Sequence, residues 1–341
     1  MTWTITVAGD PQPVPAEDGD TILDALLMHG VGFAYSCQAG NCGTCKCEYV
    51  SGEIVELEYS EHALSAAERA RSIILACRTQ VWGDMSIRRL SAEEFVMHPS
   101  RIMQCRVVEA ELVTHDVLRL SLAIQSGGPY TFSAGQFAKL QFAFAPDIAR
   151  DYSMASRPDE PLQFHIRCIA GGVSGKLTTH LKVGDLVRVS GPFGTSYLRD
   201  QHPGPILAIA GGTGLAPIRS IVASALAQDA HRPVHLYFGV RSERDVYGEQ
   251  ELNEWRTRYP NFKAHIVLSE ERSAGRRYGM VTDAVREDFE TLQRFQAYLA
   301  GPPAMVDAAT PLLLQGGVAA RDIHADAFYS AVDSVRGSVS A

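Results

Sequence analysis

Four cysteines in this 341-residue chain have types and spacing that suit metal binding. Cys37, Cys42 and Cys45 follow a C-x4-C-x2-C pattern, and Cys77 comes later in the chain. Sets of four cysteine thiolates hold iron–sulfur clusters, and C-x4-C-x2-C followed by a distant fourth cysteine is one of the spacings that [2Fe–2S] clusters use. Such a centre accepts and releases one electron at a time.

The four cysteines could also form a zinc site or a set of disulfides. A structural zinc site usually contains two C-x2-C pairs, and only Cys42 and Cys45 form such a pair. A disulfide framework needs an oxidising compartment and is usual in much shorter chains. Both alternatives remain open, and the spacing favours the cluster.

The segment around the cysteines resembles that of plant-type [2Fe–2S] ferredoxins. Residues 35–45 read YSCQAGNCGTC, and residues 75–78 read LACR. Gly40 and Gly43 allow positive φ angles, as a backbone wrapped closely around an inorganic core requires. The resemblance implies that the four cysteines are the cluster ligands. We expect the other three cysteines to be core thiols: Cys47, Cys105 and Cys168.

A second group of residues could bind a flavin. Arg150, Asp151, Tyr152 and Ser153 form an R-x-Y-S pattern at the start of a predicted strand. Alone, this pattern would also fit an ordinary strand edge. It resembles the flavin-binding motif of the ferredoxin-NADP⁺ reductase superfamily. The resemblance implies that Arg150 binds phosphate, Tyr152 stacks on the isoalloxazine ring and the Ser153 hydroxyl bonds flavin N5, which suits these side chains.

Further motifs of the same superfamily follow at the expected intervals. His165, Ile166 and Arg167 come first, and a G-x-x-S-x-x-L turn over residues 171–177 leads into a predicted helix. Free N–H groups at such a turn can bind phosphate. The resemblance adds Gly172, Val173 and Ser174 to the flavin site and favours FAD over FMN.

A glycine turn between a buried strand and a helix could bind a dinucleotide. Residues 211–217 read GGTGLAP, which differs from the G-x-G-x-x-G fingerprint. They resemble the GGTGxAP motif of the reductase superfamily, which implies that Gly212, Thr213 and Gly214 receive the pyrophosphate. A glycine-rich connection with no ligand is the alternative.

The residues after the next predicted strand bear on the choice of nicotinamide cofactor. Glu243 could repel a 2′-phosphate or bond the ribose hydroxyls, whereas Arg241 could attract that phosphate. We expect NADH, with NADPH as the alternative. Asp245 could likewise repel a 2′-phosphate or bond the ribose hydroxyls, and Arg244 could attract that phosphate.

The C-terminal part supplies the last candidate site residues. Residues 300–305 read AGPPAM and match a CGPPxM motif, with Ala300 in place of the family cysteine. Gly301 and Pro302 are therefore cofactor-binding candidates, and no thiol can assist hydride transfer there. Asp326 and Phe328 resemble the family's acidic-x-aromatic ending near the flavin. With Ser153 they are the catalytic candidates, although Phe328 could also be a packing residue.

The elements that must position these residues form three parts. Short strands and a helix over residues 21–29, capped by Asp20, indicate a mixed sheet in the first part. Ser65 and Glu68 form a capping-box pattern that predicts a second, short helix. Period-2 patterns then indicate an antiparallel barrel, and strand–helix alternation indicates a parallel α/β domain. We predict a multidomain α+β and α/β protein: a β-grasp ferredoxin domain (1–93), a linker (94–100), an FAD-binding β-barrel (101–200), an NAD(P)H-binding α/β domain (201–330) and a tail (331–341).

The composition limits the partners. The net charge is −8, and residues 1–95 contain 14 Asp/Glu but only 6 Lys/Arg. This acidic excess disfavours nucleic-acid binding and suits a docking face for a basic partner, although a merely soluble acidic domain is the alternative. The sequence shows no long apolar run and no signal-peptide pattern, so we expect a cytoplasmic protein that does not span a membrane.

Together, the motifs resemble the reductase components of bacterial aromatic-ring oxygenase systems, of the naphthalene dioxygenase reductase type. The resemblance implies electron transfer from NADH through FAD and the [2Fe–2S] cluster to a Rieske-type ferredoxin or a terminal oxygenase. A reductase of a di-iron monooxygenase, of the methane or phenol hydroxylase type, shares the same three parts and is the main alternative. A third interpretation is a non-enzymatic redox sensor.

Overall fold

The described residues, 1–90 and 95–329 of the computed structural model, divide into two units. The first holds residues 1–90, 95–97 and 329, and the second holds residues 98–328. Residues 91–93 of the predicted ferredoxin domain, residue 94 of the predicted linker, residue 330 of the predicted nucleotide-binding domain and the predicted tail (331–341) lie outside the described residues.

The first unit is built on a five-stranded mixed sheet in the order β2-β1-β7-β3-β5, in which β1 and β7 run parallel. Strands β4 and β6 form a separate antiparallel pair. The core of this unit contains four completely buried side chains: Ile5, Ile22, Leu26 and Ile87. Its elements are β1 (Thr2–Val7), β2 (Val14–Glu17), α1 (Ile22–Met28), β3 (Lys46–Ser51), β4 (Ile54–Glu56), α2 (Ala66–Arg69), β5 (Ile73–Leu75), β6 (Thr79–Val81) and β7 (Met85–Arg89).

The starts of the two helices test the capping predictions. Helix α1 is capped by Thr21, whose hydroxyl accepts a hydrogen bond from Asp24 N, so the prediction of Asp20 as the cap was wrong by one residue. The Asp20 carboxylate instead accepts a hydrogen bond from Glu17 N in the preceding turn. For α2, the capping box between Ser65 and Glu68 is present, as its sequence pattern indicates.

The second unit begins with a six-stranded antiparallel sheet in the order β11-β10-β13-β8-β9-β12. A bridge between Met154 and Phe164 brings its two edges together, so the sheet forms a nearly closed barrel. Leu120, Leu140 and Val189 are fully buried inside it. Its elements are β8 (Arg101–Leu112), β9 (Val117–Ser126), β10 (Phe137–Phe142), β11 (Ala149–Ser153), β12 (Leu162–Arg167), α3 (Leu177–His180) and β13 (Leu186–Phe193).

The same unit continues with a six-stranded parallel sheet in the order β17-β16-β15-β14-β18-β19. Because β15 and β18 lie on opposite sides of β14, the carboxyl ends of β14 and β18 form a topological switch point, where ligands bind in such sheets. The elements are β14 (Ile206–Gly211), α4 (Leu215–Gln228), β15 (Val234–Val240), α5 (Glu249–Arg258), β16 (Phe262–Leu268), β17 (Arg277–Tyr278), α6 (Val281–Asp288), β18 (Gln296–Gly301), α7 (Pro303–Gln315) and β19 (Ile323–Ala327).

The structure thus confirms the predicted barrel and the predicted parallel sheet. Within residues 1–90 and 95–329, no helix has the length and apolar character needed to cross a bilayer.

Candidate functional site

The cysteine loop depends on two glycines. Gly40 and Gly43 have φ angles of +74° and +70°, which favour glycine. A Cβ atom on Gly43 would lie 2.7 Å from the carbonyl oxygen of Ala63, so a side chain there would displace the backbone. The loop therefore packs closely against residues that follow it in the chain.

The four sulfurs of the loop are arranged as two pairs. Cys37 and Cys42 are joined by a side-chain hydrogen bond, and the Sγ atoms of Cys45 and Cys77 lie 3.2 Å apart. That distance exceeds an S–S bond of about 2.05 Å, and all seven cysteines are free thiols, which excludes the disulfide alternative in this structure. The bond from Cys42 is the main reason that the pKa of Cys37 falls to about 6. The hydrogen bonds within the two pairs, together with burial, raise the pKa values of Cys42 and Cys77.

The pairing also distinguishes a two-iron cluster from a single zinc ion. Thiolates around one tetrahedral zinc, with Zn–S bonds of about 2.3 Å, lie about 3.8 Å from one another. Among the described residues, the cysteines do not form a group with all ligand atoms within 4.8 Å; only His115, Asp116 and Asp245 do. Backbone N–H groups of Ala39 and Asn41 point at Cys37 Sγ, both at 3.4 Å. Two sulfur pairs with N–H donors fit two irons better than one zinc.

The R-x-Y-S residues lie on β11 at the barrel edge. Arg150 and Asp151 are exposed, Tyr152 packs partly against the barrel core and Ser153 is buried. Burial raises the pKa of Tyr152 to about 12, so its hydroxyl stays protonated. Burial therefore increases along the strand, which presents a guanidinium, a tyrosine ring and a hydroxyl in turn.

Ser153 is joined to the far end of the unit by a hydrogen bond. Its hydroxyl donates to Asp326 Oδ2 over 3.2 Å, although the two residues are 173 positions apart. Asp326 lies on β19 opposite Ala300, and the N–H of Phe328 donates to the carbonyl of Gly301 at 2.8 Å. The structure therefore brings all three catalytic candidates and the modified CGPPxM motif to the same edge.

The three residues of the β12 motif differ in their surroundings. Ile166 is fully buried in the barrel core, so its side chain packs there and only its backbone could contact a cofactor. Burial lowers the pKa of His165 to about 3, which keeps the ring neutral, and its Nδ1 has no hydrogen-bond partner among the described residues. Arg167 Nε lies 3.1 Å from Asp116 Oδ2, in an ion pair.

The G-x-x-S-x-x-L turn is held together locally. Ser174 Oγ accepts a hydrogen bond from Ile169 N at 3.1 Å, and Gly172 and Val173 lie in the turn before it. A Cβ on Gly175 would lie 2.3 Å from the Ile169 carbonyl oxygen, so this glycine, which is not one of the predicted site residues, shapes the turn. The predicted helix is only the four-residue α3, so free N–H groups rather than a helix dipole are available for phosphate.

The glycine turn lies at the switch point of the parallel sheet. A Cβ on Gly214 would lie 2.0 Å from the Ala300 carbonyl oxygen, and one on Gly301 would lie 2.8 Å from that of Gly211. A Cβ on Gly212 would lie 3.6 Å from Arg167 Nη2, which places this guanidinium beside the turn. A close backbone approach beside a cation suits a pyrophosphate.

Tyr247 is a site residue that the sequence motifs do not reveal. Its hydroxyl donates to the Gly212 carbonyl at 3.3 Å, and its ring packs edge-on against His165 with centroids 5.2 Å apart. It therefore connects the glycine turn to the barrel motif. None of the family motifs in the sequence includes this position.

The residues after β15 form a charged network. Arg241 is half-exposed and lies 3.8 Å from Asp245 Oδ1. Glu243 is bonded to Arg276, a residue absent from the motifs, and Arg276 also bonds Glu249. These bonds lower the pKa values of both glutamates and raise that of Arg276.

The cluster of His115, Asp116 and Asp245 already has balanced charges. Arg167 and Arg241 lie 3.1 Å and 3.8 Å from its two carboxylates. Because two guanidinium groups offset two carboxylates, the cluster is a poor site for a metal cation.

Sequence comparisons agree with this arrangement. Three family models match, described as a 2Fe-2S iron-sulfur cluster binding domain (residues 5–81), an oxidoreductase FAD-binding domain (104–197) and an oxidoreductase NAD-binding domain (208–310). They confirm the predicted [2Fe–2S], FAD and NAD(H) cofactors.

Three relatives are similar over nearly the whole chain. The reductase component of the naphthalene 1,2-dioxygenase/salicylate 5-hydroxylase systems of Ralstonia sp. is 43% identical, over 92% of this chain and 95% of its own. The phenol 2-monooxygenase reductase component of Pseudomonas sp. is 34% identical, over 98% and 96%. The crystal structure of an Amycolatopsis cytochrome P450 reductase aligns with a TM-score of 0.82 and 36% identity, covering 96% of this chain and 98% of that one.

Proposed function

Because this chain belongs to the family of ferredoxin reductases with an N-terminal [2Fe–2S] domain, we propose that it passes electrons from NADH through FAD and its cluster to a ferredoxin or terminal oxygenase of an aromatic-ring-oxidising system. The observation that carries this proposal is the hydrogen bond between Ser153 and Asp326. It joins the barrel edge that resembles a flavin site to the sheet edge beside the glycine turn, which is where a flavin and a nicotinamide must meet.

The proposed role of each residue follows from its place at these edges. The Ser153 hydroxyl bonds flavin N5, Asp326 orients that hydroxyl, and Phe328 covers the ring. When bound, FAD takes a hydride from NADH and releases its electrons singly to the cluster. The other proposed cofactor-binding residues are Arg150, Asp151, Tyr152, His165, Ile166, Arg167, Gly172, Val173, Ser174, Gly212, Thr213, Gly214, Arg241, Glu243, Gly301 and Pro302. The proposed cluster ligands are Cys37, Cys42, Cys45 and Cys77.

We propose that NADH is preferred over NADPH. The support is the partly exposed carboxylate of Glu243, which could repel a 2′-phosphate or bond the ribose hydroxyls. Asp245 is buried and lies beside Arg241. We also propose the finer fold assignment: a β-grasp ferredoxin domain (1–93), an FAD-binding barrel (101–200) and a nucleotide-binding domain (201–330). Free thiols support a cytoplasmic location.

The proposed docking face is the first domain. Residues 1–95 hold 14 acidic and 6 basic residues, whereas residues 96–341 hold 25 of each. A basic partner would be attracted to this domain at low salt. We expect reduction of the true partner to slow as salt rises. A rate that is independent of salt would contradict docking by charge.

A reductase for a di-iron monooxygenase is the second candidate. The similarity to the phenol 2-monooxygenase reductase component favours it, although the identity of 34% is below the 43% of the dioxygenase relative. Reduction assays with a Rieske-type ferredoxin and with a di-iron hydroxylase would separate the two. Faster reduction of the hydroxylase would favour the second candidate.

An anaerobic NADH titration of the purified protein tests the proposed electron path. Absorbance should show oxidised flavin and [2Fe–2S] bands, and both should bleach as NADH is added. A cluster band that survives complete flavin reduction would contradict the path.

A further inference from the structure

Arg276 is held by two glutamates at once. Its Nε and Nη2 donate to Glu243 at 2.8 Å and 3.1 Å, and its Nη1 and Nη2 donate to Glu249 at 2.6 Å and 2.8 Å. The side chain is 18% exposed, compared with 35% and 36% for the glutamates. Four charge-assisted bonds leave this guanidinium little capacity to bind another anion.

The network of Arg276, Glu243 and Glu249 lies at the edge of the parallel sheet where we propose that the nucleotide binds. Glu243 lies three residues after the end of β15, and Glu249 begins α5. Between them, Tyr247 donates to the carbonyl of Gly212 in the glycine turn. In sheets of this topology, the adenosine ribose lies beyond the second strand when the pyrophosphate lies at the turn after the first.

The network carries a net negative charge. One guanidinium and two carboxylates give −1, and Glu271 adds a carboxylate that accepts a hydrogen bond from Glu243 N at 2.9 Å. Because the exposed Arg241 and Arg244 lie beside Glu243 in the chain, this surplus does not by itself decide between a 2′-phosphate and a 2′-hydroxyl.

We propose that Glu243 and Glu249 make the enzyme select NADH by sequestering Arg276, which would otherwise receive the 2′-phosphate of NADPH. This inference rests on the proposed nucleotide site and gives its preference for NADH a mechanism. Discrimination then comes from the removal of a guanidinium that could otherwise bind the 2′-phosphate.

The test is the double variant Glu243→Gln and Glu249→Gln, which keeps the side-chain shapes and removes both charges. The ratio of kcat/KM for NADPH to that for NADH should rise about tenfold or more, since a freed guanidinium gains charge-assisted bonds to phosphate. Inhibition by 2′,5′-ADP should strengthen relative to inhibition by 5′-AMP. The single variant Glu249→Gln should shift both quantities in the same direction by less.

Two controls identify Arg276 as the cause. Adding Arg276→Ala to the double variant should cancel the gain. Glu287→Gln removes a glutamate from the neighbouring ion pair with Arg277 and should leave the ratio unchanged.

Three outcomes would overturn the inference: an unchanged ratio in the double variant, an equal gain when Arg276 is also removed, or an equal gain in Glu287→Gln. Failure of the proposed function itself would look different, because the unaltered protein would then not oxidise NADH with ferricyanide as acceptor.

Discussion

The cysteine loop and the Ser153–Asp326 edge are assembled in different ways. Three of the four cysteines lie within nine residues, and positive-φ glycines set the loop between them. The Ser153–Asp326 bond joins residues 173 positions apart, and it depends on the packing of the barrel and the parallel sheet. A local site can be identified from spacing alone, whereas a distributed site depends on the stability of the fold around it.

A substitution in the glycine turn should have the largest effect on the Ser153–Asp326 edge and little effect on the cysteine loop. Gly214→Ala would place a Cβ 2.0 Å from the Ala300 carbonyl oxygen, so we expect a loss of about 3 kcal/mol in unfolding free energy of the second unit. NADH oxidation should be lost with every acceptor, while the cluster absorbance persists. Gly128→Ala, whose nearest contact would be 3.5 Å, is the matched control. Loss of the cluster absorbance in Gly214→Ala would show that the regions are not independent.

As the pH falls, the second unit, which contains the Ser153–Asp326 edge, should lose stability before the first unit does. Burial lowers the pKa values of His165 and His324 from 6.5 to about 3, so the unfolded chain binds protons before the folded one. This stability is fully present above pH 6.5 and falls by about 1.4 kcal/mol per histidine for each pH unit below it. In the first unit, the bond from Lys46 lowers the pKa of Glu68 to about 2, and that contribution is lost only as the pH falls from 4.5.

Thermal unfolding at pH 7.5 and pH 5.5 checks this difference. Flavin fluorescence should report a lower midpoint for the second unit at pH 5.5, and the cluster absorbance should report a smaller change. His324→Gln should reduce the pH dependence of the flavin signal. Equal shifts of both signals would contradict the assignment to buried histidines.

The hydrogen bond between Ser153 and Asp326 should affect the rate of hydride transfer. We expect Ser153→Ala to slow reduction of the bound flavin by NADH about tenfold to a hundredfold, because the hydroxyl that bonds the reacting atom is lost. Stopped-flow absorbance measures this rate. Asp326→Asn should slow it less, and the double variant should resemble Ser153→Ala, since Asp326 acts through Ser153. Ser121→Ala, another buried barrel serine, is the control. Additive effects would contradict a coupled pair.

A weaker effect concerns the position of Arg167. Asp116→Asn removes the charge 3.1 Å from Arg167 Nε, while an Asn oxygen can still accept from Thr114 Oγ1. We expect the KM for NADH to rise about threefold to tenfold with kcat unchanged. Asp159→Asn removes an exposed partner of Arg157 and should change neither constant. A fall in kcat without a change in KM would argue against a positioning role.

The sequence could reveal residues that belong to continuous motifs. The cysteine spacing, R-x-Y-S and the glycine turn each combine residue types that serve one chemistry, and the structure brings Ser153, Asp326 and Gly301 to a common edge. Tyr247 and Arg276 could not be found in this way, because their roles arise from contacts across the fold. The same holds for Asp116, so the sequence could assign Arg167 to the site but could not reveal its ion pair.

Local competition explains the error in the first helix. Asp20 and Thr21 are both good N-cap residues, and the sequence does not say which side chain is free. The Asp20 carboxylate is occupied by Glu17 N, so Thr21 caps the helix. The capping box of Ser65 and Glu68 was predictable because its two reciprocal bonds lie within four residues.

In the proposed path, electrons enter the distributed site as hydride and leave through the local cysteine site. The most direct test is Cys42→Ser, with Cys47→Ala, a buried thiol outside the ligand set, as control. We predict that Cys42→Ser abolishes NADH-dependent reduction of cytochrome c and spares NADH oxidation by ferricyanide, while Cys47→Ala keeps both. Equal loss of the two activities in Cys42→Ser would contradict this path.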